Sequence, residues 1–181
     1  MNISNKLTIL RVLLVPVMVI LLYIGTSAAR IAALAVFCTA SFTDFLDGFL
    51  ARKYHLITDF GKFLDPLADK ILVLSALSVF CEKGMIPAWF LLIILFRELS
   101  VDGLRMIVVS HGKVIAASPF GKIKTVSQIV FMICMMLLNT PVFSNTFTAI
   151  LGIWVLLITL FSGIDYFVRN PLSVQNKEDC P

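Results

Sequence analysis

The chain has 181 residues, of which 59% are hydrophobic and only 14% are charged, and its formal net charge is +4. Soluble domains are near half apolar and a quarter charged, so this composition departs from theirs in the direction of a membrane protein. The basic residues flank apolar runs and form no basic surface patch, which argues against nucleic-acid binding.

Six apolar runs follow one another along the chain, and most are near the roughly 20 residues that a helix needs to cross a bilayer. They are predicted at residues 7–24, 29–52, 61–80, 86–110, 125–138 and 147–168, of which the fifth is short. Pro16 lies inside the first run and is tolerated in a membrane span. The sequence therefore predicts an all-α membrane protein whose six transmembrane helices form one bundle. A single domain would cover residues 1–170, followed by a polar tail at 171–181.

The basic residues outside the runs are distributed unequally between the two sides of the predicted bundle. The side that holds both termini carries Lys6, Arg11, Arg52, Lys53, Lys62, Lys113, Lys122, Lys124, Arg169 and Lys177, whereas the other carries Arg30 and Lys83. The positive-inside rule then places both termini in the cytoplasm and the protein in the cell membrane. Residues 25–29 resemble a signal-peptidase site, but apolar runs continue through the whole chain and favour a multi-pass protein.

The cysteine pattern predicts neither a disulfide framework nor a zinc site. The four cysteines, Cys38, Cys81, Cys134 and Cys180, are far apart and form no CxxC pair. His55 and His111 are isolated, so a structural or surface role is expected for both.

Four aspartates are spaced to converge where the second and third runs meet. Residues three, four, seven or eight apart share a helix face, so one face carries Asp44 and Asp47 and the next carries Asp65 and Asp69. The link between the runs is short, which makes antiparallel neighbours of the two helices. Carboxylates that meet repel one another unless a cation neutralises them. Oxygen ligands favour magnesium, calcium or manganese, and four carboxylates could hold two ions.

Other interpretations of this cluster remain open. Asp44 could pair with Arg52, or Asp69 with Lys70, and only hold helices together. The small residues on the same faces, Gly48, Ala51 and Gly61, could serve helix packing or leave room for a ligand. A divalent-cation channel or transporter would also use an acidic cluster, although no inverted repeat is visible.

The pattern from Asp44 to Asp69 is similar to the signature of the CDP-alcohol phosphotransferase family, with every fixed position and gap matched: D-x2-D-G-x2-A-R-x8-G-x3-D-x3-D. The resemblance implies a six-helix membrane enzyme, usually a homodimer, that transfers a phosphatidyl or related group from a CDP-linked donor to an alcohol and releases CMP. It implies two divalent ions, Mg²⁺ or Mn²⁺. The implied metal ligands are Asp44, Asp47, Asp65 and Asp69, of which Asp69 is also the general base. The implied CDP site comprises Asp44, Asp47, Gly48, Ala51, Arg52, Gly61 and Asp65.

The acceptor has to be predicted from residues outside the signature. Glu98, Asp102 and Arg105 share a face of the fourth run, and charges at that depth should face the bundle interior. An ion-pair ladder within this helix is the alternative. The neighbouring Lys113, Lys122 and Lys124 would suit an acceptor that bears a phosphate.

Segments 5–16, 96–105 and 112–125 resemble the phosphatidylglycerophosphate synthase branch of the family. Ser4 and Asp102 depart from the branch pattern. The resemblance implies CDP-diacylglycerol as donor, sn-glycerol 3-phosphate as acceptor and membrane lipids as surroundings. We predict that the acceptor phosphate contacts Arg11, Arg105, Lys122 and Lys124, and that the entrance is lined by Asn5 and Thr8. A cardiolipin, phosphatidylserine or inositol-phosphate synthase is the alternative within the family.

Overall fold

The computed structural model describes residues 3–54, 59–110 and 119–169, and the side chains within 9–43, 70–107 and 119–169. Within these ranges the chain is all-helical, as predicted. The helices are α1 (Ile3–Ile24), α2 (Ser27–Tyr54), α3 (Asp59–Glu82), α4 (Ala88–Ser110), α5 (Pro119–Leu138) and α6 (Thr146–Arg169). Both α5 and α6 are long and apolar enough to cross a membrane, and shorter apolar stretches occupy Ile9–Ile24 and Ser27–Thr43. The architecture is consistent with a membrane protein.

Two helices begin at least four residues earlier than predicted. Helix α1 starts at Ile3, where we expected residue 7, and α5 starts at Pro119, where we expected residue 125. An apolar run covers only the part of a helix that is surrounded by lipid or by the protein core. The helix itself can continue through polar residues where its end is exposed to water. Proline is favoured in the first turn because its missing N–H would have no intrahelical acceptor there. Lys122 and Lys124 are consequently helical, although the predicted fifth run begins after them. Lys113 lies outside the described residues.

The predicted breaks between helices are confirmed by specific backbone features. Gly25 and Gly84 have φ of 71° and 68°, and Asn139 has φ of 50°, which is the left-handed conformation that commonly ends a helix. At the start of α2, the Thr26 hydroxyl accepts from the Ala29 N–H at 3.2 Å. At the start of α6, the Asn145 side chain accepts from the Phe147 N–H at 3.0 Å. These polar side chains satisfy N–H groups that the first helical turn leaves free.

The helices pack in an order that differs from the order of the chain. Helix α1 lies against both α2 and α3, α6 lies against α4 and α5, and α2 also contacts α3. Phe37, Phe90 and Phe131 are fully buried between the helices. Large apolar side chains also cover much of the outside of the bundle, among them Leu13, Ile20, Ile31, Leu92, Phe96, Ile150 and Leu157. Such an apolar exterior is expected where lipid replaces water as the surrounding medium.

The end of the bundle where α1 and α3 finish is joined by polar contacts. Tyr23 donates to the Glu82 carboxylate, and Lys83 donates to the Leu22 carbonyl. The Val142 N–H donates to the Met85 carbonyl at 2.7 Å. These contacts join the three interhelical links at this end of the bundle. Lys83 also gives the Leu22 carbonyl, near the end of α1, a cationic partner.

Two helical glycines provide a test of the packing. A Cβ at Gly152 in α6 would lie 2.6 Å from Val142 Cγ2, whereas a Cβ at Gly103 in α4 would meet nothing within 4 Å. We expect Gly152→Ala to destabilise the protein by about 1–3 kcal/mol through overpacking. Gly103→Ala is the matched control, and it should be neutral or stabilise by up to about 1 kcal/mol. Thermal unfolding of the purified variants in detergent measures both. Equal melting temperatures for the two variants would contradict the packing around Gly152.

Candidate functional site

The signature residues lie on the two helix segments nearest the 55–58 link. Asp44 and Asp47 are in the last three turns of α2, and Asp65 and Asp69 are in the first three turns of α3. Their side chains, and those of Gly48, Ala51, Arg52, Gly61, Asn5 and Thr8, lie outside the described side chains. The backbone supplies the regular helices that the face argument requires. The assignment of ligands, base and CDP contacts stays a prediction.

A charged cluster with a buried centre adjoins the signature where α3, α4 and α5 meet. We call it the Glu98 cluster, and it comprises Lys70, Arg97, Glu98, Asp102 and Lys124. Glu98 and Lys124 are only 5% and 6% exposed, and they form an ion pair. The Glu98 carboxylate also lies 3.4 Å from Arg97 Nη1 and 3.9 Å from Lys70 Nζ. Lys70, which directly follows Asp69 in the chain, pairs in addition with Asp102.

Helix α6 completes the surroundings of the cluster. Arg97 Nη2 donates to the Ser162 hydroxyl at 2.6 Å. A Cβ at Gly163 would lie 3.1 Å from Arg97 Cγ, so the absence of a side chain there lets the Arg97 stem lie against α6. One turn of α4 beyond Asp102, Arg105 Nε lies 3.5 Å from the Tyr166 hydroxyl. The three cations and two carboxylates of the cluster carry a formal excess of one positive charge.

The four predicted acceptor residues lie in different parts of the structure. Lys124 is inside the Glu98 cluster, and Arg105 lies one turn of α4 beyond Asp102, where it contacts Tyr166. Lys122 is exposed on α5. Arg11 is 1% exposed on α1, and α1 packs against α2 and α3. The structure therefore places Lys124 inside the Glu98 cluster and leaves Lys122 on the surface.

The ion-pair ladder considered within α4 is not the arrangement observed among the described side chains. Glu98 pairs with lysines of α3 and α5 and with its neighbour Arg97. Asp102 pairs with Lys70. Carboxylates buried among several helices are stabilised best by cations that reach them from more than one direction, and the result ties three helices together.

Several polar residues of this region were not predicted as functional. Lys70 was considered only as a partner of Asp69, and Gln128, Ser162 and Tyr166 were not considered. The sign that could have identified Lys70 and Gln128 is a polar side chain in the middle of an apolar helix. Both line a small pocket between α3, α4 and α5. Its walls are Lys70, Val73, Leu74, Ile94, Glu98, Lys124, Thr125 and Gln128.

Removing the carboxylate at the centre of the cluster should weaken the protein. In Glu98→Gln, the charges of Lys70, Arg97 and Lys124 lose their shared counterion, and breaking a buried ion pair typically costs about 3–5 kcal/mol. We expect a lower melting temperature in detergent. Glu82→Gln is the matched control, because Glu82 is exposed and contacts Tyr23 at the other end of the bundle. An equal loss in both variants would contradict the central place of Glu98.

A sequence profile described as CDP-alcohol phosphatidyltransferase matches residues 1–163. A Bacillus subtilis protein named CDP-diacylglycerol--glycerol-3-phosphate 3-phosphatidyltransferase is 41% identical over 93% of this chain and 95% of its own length. A Mycobacterium tuberculosis protein named probable phosphatidylglycerophosphate synthase is 42% identical over 93% and 81%. A Rickettsia typhi protein with the same name as that of B. subtilis is 36% identical over 92% and 95%.

Proposed function

The chain belongs to the CDP-alcohol phosphatidyltransferase family, and we infer that it transfers the phosphatidyl group of CDP-diacylglycerol to sn-glycerol 3-phosphate. The products are phosphatidylglycerophosphate and CMP. The observation that carries this inference is the similarity to relatives named for this reaction, which extends over 92–93% of the chain. The signature from Asp44 to Asp69 specifies the reaction class, and segments outside it specify the acceptor.

We propose that all six helices cross the cell membrane, with both termini and the active site on the cytoplasmic side. Helix lengths of 20–28 residues and the apolar exterior support the crossings. The excess of Lys and Arg on one side supports the orientation. Residues 1–170 would form one domain, with a polar tail at 171–181, and two copies would form the homodimer usual in the family. A lipid donor could then enter from the bilayer while the soluble acceptor enters from the cytoplasm.

The donor site is proposed at the facing ends of α2 and α3. The family is generally dependent on divalent metal. The donor set fits this requirement because it consists of four carboxylates on two helices that contact each other. Asp44, Asp47, Asp65 and Asp69 would hold Mg²⁺ or Mn²⁺, two ions per site, which when bound supply positive charge for the diphosphate. Arg52 and the small residues Gly48, Ala51 and Gly61 would line the CDP moiety.

We assign the general base to Asp69. A hydroxyl of glycerol 3-phosphate attacks the phosphatidyl phosphorus, Asp69 accepts the hydroxyl proton, and the bond from phosphorus to the CMP oxygen breaks. A phosphodiester forms as CMP leaves, so the atoms balance in one displacement. A covalent intermediate is not invoked because none of the fixed signature positions is Ser, Cys or His. The role of the protein is chiefly to position both substrates and stabilise charge.

The acceptor phosphate is proposed to bind beside the Glu98 cluster. Two observations support this proposal: Lys124 belongs to the cluster, which carries excess positive charge, and Arg105 follows Asp102 by one turn of α4. Arg11 and Lys122 complete the predicted set, and Asn5 and Thr8 would line the entrance. A fixed cationic surface at the acceptor site favours a phosphate-bearing alcohol over a neutral one.

The acceptor assignment is tested with purified protein, CDP-diacylglycerol and labelled sn-glycerol 3-phosphate. We expect labelled lipid and CMP in the presence of Mg²⁺ or Mn²⁺, and none after chelation with EDTA until metal is restored. Serine, inositol phosphate and phosphatidylglycerol serve as competing acceptors. Equal use of any of them would overturn the acceptor assignment. Metal flux into vesicles without CDP-lipid turnover would indicate a transporter.

The base assignment is tested with Asp69→Asn. This change removes the proton acceptor but preserves the shape of the side chain, so turnover should fall by at least about 100-fold while donor binding is largely retained. The same change in the polar tail, Asp179→Asn, is the control and should leave turnover unchanged. Steady-state rates and binding of labelled CDP-diacylglycerol separate the two effects. An active Asp69→Asn variant would place the base elsewhere.

A further inference from the structure

The side-chain amide of Gln128 is buried without a hydrogen-bond acceptor. Gln128 is 5% exposed on α5, and its Nε2 donates to no acceptor in the structure described for this chain. An unsatisfied buried donor costs about 1–3 kcal/mol, and such groups usually bind a ligand or an ordered water. Gln128 is therefore expected to donate a hydrogen bond to a polar group that is not part of the chain.

The pocket beside Gln128 is suited to a small polar group. Four other residues that line the pocket are polar, and they belong to α3, α4 and α5: Lys70, Glu98, Lys124 and Thr125. These neighbours already have partners: Glu98 pairs with both lysines, and the Thr125 hydroxyl donates to the Gly121 carbonyl at 3.1 Å. Among the polar residues that line the pocket, Gln128 is thus the one whose side-chain N–H group has no acceptor.

The pocket also has a defined relation to the proposed base. Val73 forms part of its wall and lies four residues after Asp69, which puts both residues on one face of α3. Four residues advance a helix by about 6 Å. The pocket therefore lies about one helical turn beyond Asp69, within reach of a three-carbon acceptor whose hydroxyl meets that carboxylate.

We propose that Gln128 binds the secondary hydroxyl of glycerol 3-phosphate and determines specificity for it, while the primary hydroxyl is the nucleophile. The assignment rests on the proposed function. A hydroxyl oxygen accepts a hydrogen bond from the amide, which satisfies the donor that the fold leaves without a partner. An acceptor that lacks this hydroxyl leaves the amide unsatisfied again, and sites built to bind a hydroxyl reject such analogues strongly.

The test compares glycerol 3-phosphate with 3-hydroxypropyl phosphate, which keeps the phosphate and the primary hydroxyl and lacks only the secondary one. The wild-type enzyme should prefer glycerol 3-phosphate by at least about tenfold in kcat/KM, since one hydrogen bond of this kind is worth about 1–3 kcal/mol. Gln128→Met has nearly the same shape and no donor. It should lose most of that preference, with the rate on the deoxy acceptor kept within about twofold.

A structural role for Gln128 would lower both rates in the same proportion, and that result would overturn the proposal. Equal use of the two acceptors by the wild-type enzyme would overturn it even if the variant did not fold, because the amide would then serve only an ordered water. Ser127→Ala is the control on α5: Ser127 contacts Trp154 and not the pocket, so the preference should be unchanged. A wild-type enzyme with no activity on glycerol 3-phosphate would instead contradict the proposed function.

Discussion

The carboxylate of Glu98 is the charge on which the arrangement of the described helices depends. It is buried in an apolar bundle, where an ionised group without a counterion is very costly, and its cationic partners come from three consecutive helices. None of these helices can rotate far about its own axis without moving one of the cations away from Glu98. Lys70 is held towards α4 in this way. Lys70 directly follows Asp69 in the chain, so the cluster also restrains the part of α3 that carries the proposed base.

The opposite end of the bundle is held by the backbone and by fewer charges. Left-handed residues end α1 and α5, and the Val142 N–H joins the α5–α6 link to the carbonyl of Met85. Between the two ends lies an apolar core in which Phe90 and Phe131 stack with ring centroids 5.4 Å apart. The fold thus concentrates its buried charge at one end and its tight turns at the other. The proposed site for charged substrates is at the end where ion pairs join the helices.

The sequence predicts the helices well and their mutual contacts poorly. Apolar runs locate the helices, because the apolarity of a run depends only on residues that are neighbours in the chain. The starts of α1 and α5 were missed because polar residues continue a helix without adding to its apolar run. The pair between Glu98 and Lys124 was not predicted either. Periodicity shows which residues share a face of one helix, but it does not show which helix that face will meet.

Charge and specificity are divided between different residues in the proposed acceptor site. The excess positive charge of the Glu98 cluster, together with Arg105, attracts any small phosphate, since a Coulomb interaction depends on charge and distance and not on the rest of the molecule. Discrimination among phosphates of similar size requires a group that gains a directional hydrogen bond from one substrate and is left unsatisfied by the others. A neutral amide meets this requirement because its hydrogen bond is directional and it adds no charge that would attract every phosphate alike. Gln128 is placed to supply that selectivity, because the other polar residues that line its pocket are already engaged in ion pairs or, for Thr125, in a hydrogen bond.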